Sequence, residues 1–221
     1  HPPHSSDETP IDAWITSFPL SIATSAADWL HGRFLLKYDN LKISLTEGGV
    51  GWVPYFLERA EFTYDHHSAW TNSKFEGKRP TEVFKEHFLT CFIDDESGLR
   101  NRDFVGIDNM MFECDYPHSD CTWPVTPEET MRQFDNTKLS DEEINKVTHL
   151  NAIKHFGFDP IKILGRENCT VGALREQAKA AGVDTSEKSA GGQSAKVSDR
   201  SGRMTSGEVQ KLFAGEGAAA D

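Results

Sequence analysis

Residues 41–46, LKISLT, alternate in polarity: Leu41, Ile43 and Leu45 fall on one side, Lys42, Ser44 and Thr46 on the other. A period of two predicts a β-strand, and it breaks at Glu47-Gly48-Gly49. The period then changes. In GWVPYFLERAEFTYDHHSAW, residues Val53, Phe56, Leu57, Ala60 and Tyr64 recur at the spacing of one helical face. The same strand-then-turn pattern returns twice. FLTCFI at 88–93 is a β-rich run that ends in Asp94-Asp95, and NMMFEC at 109–114 ends in Asp115-Tyr116-Pro117-His118. Upstream, Leu20, Ala23, Ala27 and Leu30 have helical spacing and Gly32 follows as a stop; Pro10 and Pro19 each suit a first helical turn. Downstream, Thr126-Pro127-Glu128-Glu129 and Ser140-Asp141-Glu142-Glu143 read as capping boxes. The second opens a helix through Ile144, Val147, Leu150 and Ile153 that Gly157 should close.

Strands alternating with helices predict an α/β fold with a parallel sheet. In such folds ligands meet the C-terminal ends of the strands, and all three predicted strands end in acids: Glu47, Asp94-Asp95 and Asp115. Residues 1–184 read as one unit. Beyond them the chain is rich in Ser, Gly and Lys and poor in large apolar side chains. Such a segment buries too little surface to offset its ordering entropy, so 185–221 reads as a disordered tail in which GEVQKLFAG could form one short helical turn.

Composition narrows the partners. A formal net charge of -12 opposes binding to nucleic acid or to an anionic membrane. No apolar run approaches the roughly 20 residues that cross a bilayer. The four cysteines, Cys91, Cys114, Cys121 and Cys169, lack C-x-x-C spacing, which suits reduced thiols in a cytoplasmic protein.

FECDYPHSDCTWP at 112–124 is the segment richest in candidate chemistry. Extending its strand to Asp115 puts Met111, Glu113 and Asp115 on one face and Met110, Phe112 and Cys114 on the other. Two carboxylates on one face beside His118 can hold a cation or share a proton; a strand end with a solvated turn explains the same residues without chemistry. His66-His67 read as surface or packing residues, and His31, His87, His149 and His155 as structural ones. His1 and His4 are spaced by prolines at a terminus, a poor metal pair. G-x-S-x-G, G-x-x-x-x-G-K-[ST] and H-E-x-x-H are all absent.

Four stretches, LKISLTEGGVGWVPYFLERA, EHFLTCFIDD, DNMMFECDYPHSDCTWP and the helix ending HLNAIKHFGF, resemble the amidohydrolase-related family. They match the branch that contains aminocarboxymuconate-semialdehyde and resorcylate decarboxylases, over roughly residues 11–180. The resemblance implies the C-terminal part of a (β/α)8 barrel, with 41–47, 88–94 and 110–115 as its sixth, seventh and eighth strands. It implies a divalent metal ion, zinc or manganese, and a small organic substrate. Asp115 matches the acid that contacts metal and reactive water. Glu47 stands where many members carry a histidine, and Glu47 and His118 would shape the substrate side. The family's H-x-H or E-x-H pair and its strand-five histidine have no counterpart, and the chain opens at His1 rather than Met. A closed barrel needs about 250 residues. A fragment of a longer metal-dependent hydrolase is therefore expected. The alternatives are a non-oxidative decarboxylase of the same family, a non-catalytic remnant completed by a partner chain, and a small α/β binding protein. The resemblance leaves room for a homo-oligomer.

Overall fold

The computed structural model describes residues 6–118, 120–186 and 202–214. Its elements in chain order are α1 (Ile11–Ser17), α2 (Ser21–His31), α3 (Phe34–Lys37), β1 (Ile43–Leu45), α4 (Val53–Thr71), α5 (Pro80–His87) and β2 (Phe88–Phe92). There follow α6 (Glu96–Arg100), α7 (Arg102–Val105), β3 (Met110–Phe112), α8 (Thr126–Thr137), α9 (Asp141–Asn145), α10 (Asn151–Phe156), α11 (Pro160–Leu164), α12 (Val171–Ala180) and α13 (Ser206–Phe213). A π-helical turn, Lys146–Leu150, joins α9 to α10.

The three strands form one parallel sheet in the order β1-β2-β3. Ile43 pairs with Phe88 and Leu45 with Thr90; Thr90 pairs in turn with Met110 and Phe92 with Phe112. Parallel pairing demands a crossover between successive strands, and here α4–α5 and α6–α7 supply it. This register sorts the side chains by parity. Ile43, Leu45, Phe88, Phe92, Met110 and Phe112 join the main core with Val53, Leu57 and Ala60 of α4. Leu89, Cys91 and Met111 form a second cluster on the opposite face, packed by Ala152 of α10.

Most of the helical grammar was legible. α4 buries Val53, Leu57 and Ala60, three of the five residues on its apolar face. At α9, Ser140 accepts from Glu143 N–H and Glu143 accepts from Ser140 N–H, the reciprocal capping box. Gly157 takes a left-handed conformation after α10. Three expectations are corrected. α2 buries Ala26 and Leu30, while Leu20 is exposed, because the helix presents an adjacent stripe to the core. Thr126 caps nothing: it already lies inside α8, behind Val125, and its hydroxyl is taken up by Thr122 and Cys114. The third strand ends at Phe112, so strand parity does not reach Asp115.

Part of the tail is ordered against the N-terminal segment. Thr205 bridges Pro10 in an antiparallel pair, Ile11 N–H donates to Met204 O at 2.9 Å, and Ser206 N–H donates to Thr9 O at 2.8 Å. Ser206 is fully buried there, and α13 follows it. The unstructured tail expected over 187–201 and 215–221, like the pair His1 and His4, lies outside the described residues. No helix among the described residues is long and apolar enough to cross a membrane.

Candidate active site

The loops after β1 and β3 lie on the same rim of the sheet, although β2 separates the strands. Glu113 links them: its carboxylate accepts Glu47 N–H at 2.8 Å, while Glu113 N–H continues the ladder by donating to Phe92 O. Glu47 and Asp115 both have positive φ, 61° and 57°. This left-handed region is uncommon for residues with a Cβ. Each acid sits where the extended chain turns sharply off its strand, so local backbone geometry rather than parity sets its direction.

The result is a cluster. Glu47, Asp115 and His118 each offer a ligand atom, and these atoms all lie within 4.8 Å of one another. His118 Nδ1 is 2.9 Å from Asp115 Oδ1 and 3.0 Å from Oδ2. The Asp115 side chain is only 15% exposed while His118 is 68% exposed. A turn holds the pair together, with His118 N–H donating to Asp115 O at 2.9 Å. Behind them, burial pushes the Glu113 carboxyl above its ordinary value, and the nearby Glu47 and Asp115 charges add to the rise. A rim that crowds three carboxylates suits a cation, because opposite charge relieves both the repulsion and the desolvation. Two carboxylates and an imidazole form a donor set that can hold a divalent metal ion.

Beside this cluster opens a cleft of about 640 Å³, with Glu47 and Glu113 in its wall. Ile15 and Pro19 close one side, and Asp120 and Thr122 from the loop after β3 close another. The sequence marked the segment that holds Asp120 and Thr122, but nothing tied Ile15 and Pro19 to it, since a helix and a loop that meet only in the fold carry no shared local signal.

The middle strand ends differently. Asp94 is exposed and pairs with Arg132 at 3.3 Å. Asp95 Oδ2 accepts Val50 and Gly51 N–H, both at 2.6 Å, and Oδ1 accepts Gly98 N–H at 2.7 Å. Its own N–H donates to Gln133, a fully buried side chain that also donates to Ile93 O. Asp95 thus ties the β1–α4 loop to the start of α6. Gly49, at φ 63°, allows its carboxylate to come close. Three further histidines fill structural places: His87 is buried against Leu41 O at 2.7 Å, His66 stacks on Phe62, and His67 contacts Trp70.

The amidohydrolase family model matches residues 9–158, and the chain belongs to that family. Among solved structures, an amidohydrolase from Mycobacterium avium subsp. paratuberculosis is similar at 18% identity and a TM-score of 0.53, over 63% of this chain and 34% of that one. A 5-carboxyvanillate decarboxylase from Sphingomonas paucimobilis is similar at 19% identity and a TM-score of 0.52, over 64% of this chain and 41% of that one. At these identities the likeness shows the fold, part of a (β/α)8 barrel with its helices outside the parallel strands. The chain spans well under half the length of either structure. No curated protein matches it in sequence.

Proposed function

We propose that this chain carries the share of a metal-dependent hydrolase active site that comes from the last strands of the barrel. The observation that carries this reading is the convergence of Glu47, Asp115 and His118 within 4.8 Å from two non-adjacent strand ends. Asp115, the best shielded of the three, holds the divalent ion, zinc or manganese, and Glu47 and His118 face both ion and substrate. The ion supplies Lewis-acid polarisation of a substrate oxygen. Asp115 also accepts and returns a proton. His118, held through Nδ1 on the Asp115 carboxylate, keeps its other ring nitrogen as a donor or acceptor for substrate. The cleft beside them presents the carboxylates of Glu47, Glu113 and Asp120 together with apolar Ile15 and Pro19. That lining suits a small organic molecule with an apolar body and disfavours an anionic group that no cation neutralises.

Hydrolysis is the reading preferred from family membership. Decarboxylation is the second, favoured by the fold shared with a carboxyvanillate decarboxylase; on either reading Glu47, Asp115 and His118 keep the roles given above. The deciding experiment is titration of the chain with Mn²⁺ by calorimetry, alongside Asp115→Asn. One saturable site, lost in the variant without loss of helical signal, supports the proposal. Equal binding by both chains, or none by the parent, removes it.

A further inference from the structure

The four cysteines fall into two kinds. Cys91 lies buried on the central strand, where its thiol is pushed up to about 12 by burial and by the Glu113 charge, and its sulfur has a polar contact with Ser44 at 3.9 Å. Cys169 donates to the Pro160 carbonyl at 3.5 Å. Neither is paired with a second cysteine thiol among the described residues. Cys114 and Cys121 are: their sulfurs are 3.3 Å apart. Two successive turns, His118 N–H to Asp115 O and Cys121 N–H to His118 O at 3.1 Å, curl the loop until its ends meet. Trp123 N–H donates to Cys121 Sγ at 3.2 Å and fixes that sulfur toward its partner. Cys121 is buried and Cys114 is half-buried, so an external reagent reaches Cys114 first.

We propose that Cys114 and Cys121 are a modification site: a dithiol that a low-molecular-weight disulfide converts to an intramolecular disulfide, closing a ring around Asp115 and His118. The exchange balances as follows. Cys114 sulfur attacks one sulfur of the reagent and expels its other half as a thiol. Cys121 sulfur then attacks Cys114 Sγ in the mixed disulfide and expels the second half. The two protein S–H hydrogens end on the two released thiols, the reagent is reduced, and one S–S bond joins the cysteines. The sulfurs must close from 3.3 Å to about 2.05 Å, a small movement for a surface loop. The bond restricts the segment that presents Asp115 and His118. Its consequence for the rim rests on the metal-site reading above: a pre-ordered loop gives up less freedom on binding, so the oxidised chain should hold Mn²⁺ more tightly.

The test uses the whole chain carrying Cys91→Ser and Cys169→Ser, equilibrated in oxidised and reduced glutathione. Expected is paired loss of both free thiols, a mass lower by two hydrogens, a digest peptide linked at 114 and 121, and full reversal by reductant. Adding Cys121→Ser should instead trap a glutathione adduct on Cys114. Thiols that persist in excess oxidised glutathione, a stable adduct with Cys121 present, or a linked dimer would overturn the site. Mn²⁺ titration of the two forms separates the parts of the inference. A severalfold tighter oxidised form supports the coupling, equal binding overturns it, and binding by neither form refutes the metal reading while leaving the disulfide standing.

Discussion

Asp95 and Asp115 occupy equivalent places in two successive strand–loop units, yet their carboxylates have opposite fates. Asp95 accepts three backbone N–H groups and is consumed in holding two loops together. The Asp115 carboxylate accepts no backbone N–H among the described bonds; it meets the His118 imidazole, next to Glu47. A carboxylate saturated by amides has few lone pairs left for a ligand, whereas one shielded but unsaturated can take a cation. An acid at a strand end is therefore a site candidate only when the backbone around it has no use for it.

The largest test of this contrast is Asp95→Ala. Three charge-assisted bonds are lost and three amides are left without their acceptor, so unfolding by urea should show destabilisation of about 3–5 kcal/mol. Asp94→Ala, which removes only an exposed ion pair, should stay within about 0.5 kcal/mol. If the two substitutions have similar effects, the structural role assigned to Asp95 is wrong. Gly98→Ala probes the same tie from its other end. A Cβ there would collide with the Val50 side chain, and overpacking of this kind costs about 1–3 kcal/mol.

On the same rim, at the ends of the two flanking strands, Glu47→Gln and Asp115→Asn should leave stability nearly unchanged. Asparagine accepts the left-handed backbone of position 115 readily. Affinity for Mn²⁺ should fall at least tenfold, about 1.4 kcal/mol. A stability loss as large as that of Asp95→Ala would erase the distinction between the two acids. The smallest effect lies away from the rim. Burial lowers the ordinary pKa of His31, His149 and His155. The unfolded chain then binds more protons than the folded one below about pH 6.5, so stability should decline as pH falls through that value. The decline should be the same in Asp115→Asn, and a decline that vanishes in that variant would trace it to the rim.

Much of the fold was written locally. The change of period from two to three and a half marks β1 and α4, and Ser140 with Glu143 marks the start of α9, because each depends on neighbours in the chain. The rim was only half legible. FECDYPHSDC announces a concentration of acids, histidine and thiols, and the family resemblance singled out Asp115, Glu47 and His118. Parity could not aim Asp115, because the strand stops at Phe112 and positive φ takes over. The Cys114–Cys121 pairing was equally hidden: a seven-residue separation implies nothing until two successive turns fold it back.

The sequence by itself determined the parallel strand–helix order and the buried face of α4, since hydrophobic periodicity and capping act over a few residues. It also determined which residue types stand at each strand end. Only the tertiary structure decided which acid is spent on the backbone and which stays free. Asp95 is satisfied by Val50 and Gly51, 45 and 44 residues away in the chain, and Glu47 meets Asp115 across an intervening strand. Whether a carboxylate finds amides or open space depends on long-range approach, and no local propensity encodes that.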